Sequence, residues 1–206
     1  MEQDLAVQIY GASTATDLTG MSVDIHEPLR DTSEFANATQ VVRFFTTQIG
    51  QPLPISAVAK TKMETNMSLA GQLPAGTGFL VQSIRIAILN SYGSLNDQPQ
   101  NIVRAIMGGL VELTIAEKVV LALPVEWCSP GCGMINHRSN AASNVQYAQL
   151  AGDNPKDIFV LQTPQVIKAN TNFMVELTIP LTKPVALGDT QQIRCWLDGR
   201  HLKPTQ

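Results

Sequence analysis

The chain has 206 residues, of which 44% are hydrophobic and only 15% charged, with a formal net charge of −3 and a pI near 5.6. An average soluble protein carries roughly 25% charged residues, so this is a charge-poor chain with no Lys/Arg excess to neutralise phosphates, and direct nucleic-acid binding is not expected. No apolar run reaches the roughly 20 residues that span a bilayer, and the opening MEQDLAVQIYGAS has no basic residue ahead of its apolar stretch, so neither a membrane span nor a secretory signal is read. Fourteen Gly and twelve Pro, scattered and not clustered, punctuate many short segments, as in an all-β protein of a single domain.

Met1–Leu18 is read as an N-terminal arm and residues 19–206 as one domain. The first periodic segment is 21–27, where Met21, Val23 and Ile25 alternate with polar residues until Pro28 ends the strand. Thr39–Thr47 carries Val41, Val42, Phe44 and Phe45 and reads as a strand, followed by the Pro-rich connection 51–54. Lys62–Ala70 alternates through Met63, Thr65, Met67 and Leu69, and a turn with Gly71, Pro74, Gly76 and Gly78 leads into a strand from Phe79 to Leu89.

After a loop at Ser91–Pro99, Ile102, Val103 and Ile106 sit at helical spacing, so a short helical turn is predicted over Asn101–Met107. Leu110–Ile115 and Lys118–Pro124 flank Ala116-Glu117 and read as a tight hairpin. Ser129–Asp157 is a long polar excursion, with a second helical insertion at Asn144–Leu150. Strands at Ile158–Gln162 with Gln165–Lys168, at Asn172–Ile179 and at Gln191–Leu197 complete the chain. About eight principal strands with short helical insertions predict an all-β, eight-stranded antiparallel jelly-roll β-sandwich.

The sharpest chemical cluster is EWCSPGCGMINH (126–137), which brings Cys128, Cys132 and His137 within ten positions. As a metal site it lacks a fourth ligand and the paired Cys-x2-Cys spacing of zinc knuckles, so these three are weak metal candidates only, and no cofactor is expected. A Gly/Pro-rich loop with small apolar cysteines is the plainer reading, and a strained Cys128–Cys132 disulfide in an oxidising medium is the third. Cys132 and His137 as a nucleophilic pair lack an orienting third group, and no catalytic residue is assigned. His26 is expected on the polar face of its strand, and His201 has no partner in sequence. Asp24, Glu27, Asp31 and Glu34 match no calcium loop and are expected on solvated surface.

The order of Thr39–Thr47, Lys62–Ala70, Phe79–Leu89, the 110–124 hairpin, a long insertion, then 165–168, 172–179 and 191–197 resembles the jelly-roll capsid proteins of non-enveloped icosahedral viruses, including bacteriophages. The likeness spans nearly the whole chain and lies in topology and composition. It implies a coat subunit that assembles with copies of itself and other capsid subunits through loops, edges and the arm. It also implies a place in the virion after assembly in the host cytoplasm. Many such coats carry a basic N-terminal arm, which this chain lacks. That absence fits coats resembling those of phages with an internal membrane, where lipid separates shell from genome. A carbohydrate- or receptor-binding sandwich is the alternative, although its aromatic platform would draw on only Trp127, Trp196 and three Tyr. A cupin-like metalloenzyme is disfavoured by three dispersed histidines.

Overall fold

The computed structural model describes residues 21–25, 27–36, 39–89, 108–128, 134–140, 145–150, 159–179 and 190–204. They form an all-β structure of eleven strands: β1 (Met21–Ile25), β2 (Leu29–Phe35), β3 (Val41–Phe44), β4 (Gly78–Leu89), β5 (Leu110–Ile115), β6 (Lys118–Pro124), β7 (Met134–Asn140), β8 (Val145–Leu150), β9 (Gln165–Ile167), β10 (Phe173–Thr178) and β11 (Gln191–Pro204). Every pairing is antiparallel.

One sheet is organised around β11. Its residues 191–197 pair with β2 and its residues 201–204 with β1, while β4 runs along its other side and β9 borders β4. The second sheet has the order β3-β10-β5-β6, and β7 and β8 form a separate hairpin. The two sheets share one core. Alternation drives it: Phe173, Val175 and Leu177 of β10 and Ile193, Cys195 and Leu197 of β11 are buried, while their sequence neighbours are partly exposed.

The hairpin at Ala116-Glu117 forms as expected, with both residues at positive φ (49° and 67°), the conformation that matches the twist of flanking strands. Four expectations need correction. Lys62–Ala70 is not a strand: the Glu64 carboxylate reaches back to the Thr61 N–H at 2.8 Å while the Thr61 hydroxyl accepts from Met63 N at 3.1 Å, a reciprocal turn that outcompetes the extended form. In its place β2 joins the sheet. Asn144–Leu150 is not helical, because residues 145–150 pair with β7. Residues 159–162 are irregular, although Leu161 N donates to Gln82 O at 2.8 Å. The helical insertions reduce, among the described residues, to one 3-10 turn at Val125–Trp127, and the expected turn at Asn101–Met107 lies outside them. The arm Met1–Leu18, the loop Ser91–Pro99 and His26 also lie outside the described residues.

Candidate functional site

The strands β2 and β3 lie at the same flank of the sandwich, each at the border of its own sheet. A sandwich is open along such a flank, and the long connection from Phe45 to Thr77 closes it. Asn66 binds the free edge of β2 as a strand would, accepting from Arg30 N at 2.9 Å on its side chain and donating its backbone N–H to Arg30 O at 3.3 Å. Glu34 anchors the same connection, its carboxylate accepting from Ile55 N at 3.0 Å and Ser56 N at 2.8 Å.

Beneath this cover Asp31 points into the core, level with Cys195 on the neighbouring strand. Lys60 enters from the connection, and its Nζ donates to Asp31 Oδ1 at 2.7 Å, with side chains 2% and 0% exposed. Asp31 Oδ2 accepts from Phe45 N at 2.7 Å, while the nearby Thr65 hydroxyl donates to Arg30 O at 3.2 Å. Phe45 adopts φ 66°, a left-handed conformation that costs a bulky residue of order 1–3 kcal/mol. Its fully buried ring packs against Phe173 at 5.6 Å, so packing and the hydrogen bond hold it there. Burial raises the Asp31 carboxyl above its ordinary value, and the charge and hydrogen bond of Lys60, with the Phe45 N–H, pull it back only in part. A groove of about 390 Å3, partly open to solvent, is lined by Lys60 together with Ser33, Glu34, Thr39, Val41 and Ile55.

The expectation that Asp31 and Glu34 lie on solvated surface is therefore corrected: both are buried, one paired with a lysine and the other with two backbone N–H groups. Glu27 is exposed, as expected. A polar run such as LRDTSEF carries no alternation, and the partner that makes Asp31 tolerable stands 29 positions away.

Of the three weak metal candidates, only the Cys128 side chain is described. It is buried behind the 3-10 turn, its Sγ 3.8 Å from Pro124 O, and burial pushes its thiol up to about 12. Cys132 lies outside the described residues, and His137 is placed on β7 by its backbone alone. Cys195 is a fully buried free thiol, raised well above the usual cysteine value by burial, with Cys128 and Asp31 adding to the effect. Among the described residues no three His, Cys, Asp or Glu side chains converge. His201 meets the Phe79 ring edge-on at 5.0 Å. No helix among the described residues is long and apolar enough to cross a membrane.

Neither a family model nor any curated protein or solved structure compared with the chain matches it.

Proposed function

We propose that this protein is a structural subunit of a virus capsid, a jelly-roll domain that acts by associating with its own copies and catalyses no reaction. The observation that carries the reading is the strand order. Leaving aside β1, which pairs only with the end of β11, and numbering the remaining sandwich strands along the chain as β2, β3, β4, β5, β6, β9, β10 and β11, one sheet runs first-eighth-third-sixth and the other second-seventh-fourth-fifth. Two interlocked Greek keys of eight strands in two sheets are the jelly-roll arrangement that capsid domains share with lectins and cupins.

The surface favours association over the other uses of that fold. On the flank closed by residues 45–77, Ile55, Val58 and Met63 are exposed, the last at 70%. On the opposite flank Val119 of β6, Trp127 and Val160 are exposed. Apolar side chains on two opposite flanks of a charge-poor subunit suit head-to-tail contacts that close into rings and shells. Light scattering after size exclusion, with negative-stain microscopy, tests the reading: closed particles are expected, and a protein that stays monomeric at every concentration tried overturns it. Trp127, about half exposed and 5.1 Å from Phe159, favours carbohydrate or receptor binding as the second reading, which glycan-array binding by a non-assembling protein would support.

A further inference from the structure

The geometry points to an intramolecular amide between Lys60 and Asp31, formed spontaneously inside the folded domain and stapling the 45–77 connection to β2. The two groups stand in contact at 2.7 Å with almost no exposure to water. An ammonium has three N–H donors to satisfy, and among the described residues Asp31 Oδ1 is the only acceptor Lys60 Nζ reaches. Two charges held this dry are costly to maintain, and an amide removes both.

The step balances without any other reactant. Lys60 Nζ passes a proton to Oδ1 and, as a neutral amine, attacks Asp31 Cγ. The Nζ–Cγ bond forms and the Cγ–Oδ1 bond breaks. Oδ1 leaves as water, carrying two of the three protons that began on Nζ, and the third remains on the amide nitrogen. Nothing is oxidised or reduced. Oδ2 gathers negative charge in the tetrahedral intermediate, and the Phe45 N–H already sits 2.7 Å from it, a backbone donor aimed by that residue's left-handed conformation. Burial, which raises the Asp31 carboxyl, favours the protonated acid that the condensation passes through. Lys60 also lines the groove, which gives the released water a way out.

The test is the mass of the full-length chain, measured after denaturation from protein aged at neutral pH. The wild type is expected one water lighter than its sequence, with trypsin no longer cutting after Lys60 and a branched peptide joining that lysine to Asp31 by fragmentation. Lys60→Arg, which keeps a cation but not the amine, is expected at full mass. A wild-type chain at full mass with normal cleavage after Lys60 overturns the proposal. So does a missing water that maps instead to Asp198-Gly199, where an aspartyl-glycine pair can cyclise by itself. The capsid reading does not depend on this bond.

Discussion

Gly199 lies so close to Leu80 that a methyl group on its α-carbon would overlap the Leu80 carbonyl oxygen. The contact sits where the register of β11 against β4 slips by one residue, between Asp198 and Gly199. Backbone cannot retreat as a flexible side chain can, so Gly199→Ala is expected to cost about 2–4 kcal/mol, read as a lowered urea midpoint at unchanged slope. Gly50→Ala is the control. Gly50 has φ +85° with open space around it, so only the left-handed backbone opposes a side chain, at a cost of about 1 kcal/mol.

In freshly folded protein, before any amide has formed, two ion pairs of the same chemistry differ in worth because of where they lie. Arg43 Nε and Glu176 Oε2 are 2.9 Å apart on the surface, with the arginine side chain 61% exposed. Arg43→Ala is expected to shift stability by less than about 1 kcal/mol. Lys60→Met strands the Asp31 carboxylate in the core and is expected to cost about 3–5 kcal/mol. Equal losses in chemical denaturation would contradict this placement of Lys60.

Glu34 holds two backbone N–H groups of the connection and lends it little else. Glu34→Ala is expected to cost about 1–3 kcal/mol and to speed amide exchange at Ile55 and Ser56 ahead of the sheets. Uniform acceleration across the domain would mean that the connection opens only with the whole fold.

Cys128 makes stability fall in alkali. Its thiol ionises near the ordinary 9.0 when unfolded and at about 12 when folded. Its contribution is therefore complete below pH 9.0 and is lost as pH rises toward 12, at about 1.4 kcal/mol per pH unit. Cys128→Ala is expected to flatten that slope. In the native protein neither Cys128 nor Cys195 should react with iodoacetamide at pH 8, and both should react in urea.

Charged substitutions on the exposed flanks separate assembly from folding. Val58→Glu and Val119→Glu change side chains that stand mostly in solvent on opposite flanks. Each is expected to leave thermal unfolding within about 0.5 kcal/mol of wild type while shifting particles to smaller species in light scattering.

The strands that the sequence discloses are those whose two faces meet different solvents. β10 alternates Phe173, Val175 and Leu177 with Met174 and Glu176, and the hairpin of β5 and β6 is marked by its two-residue turn. β2 leaves no such trace. Its inward face carries Leu29, Asp31, Ser33 and Phe35, and the aspartate reads as surface until Lys60 is brought against it. The deceptive case is 62–70, where period-two spacing of Met63, Thr65, Met67 and Leu69 coincides with a Thr61–Glu64 turn whose hydrogen bonds decide the local backbone. The site was hidden for the same reason as β2: its two ends are set by tertiary approach and not by any spacing along the chain.

The middle of the larger sheet is made last. β11 lies between β2 and β1 on one side and β4 on the other, yet it follows all three in the chain. During synthesis β2 and β4 therefore emerge from the ribosome with the strand that joins them still untranslated. Their unpaired edges stay open to other nascent chains until residue 191 and beyond appear. Slow translation of β11 would lengthen that interval, and a polypeptide stopped before β11 is expected to partition into inclusion bodies to a greater extent than one that includes it.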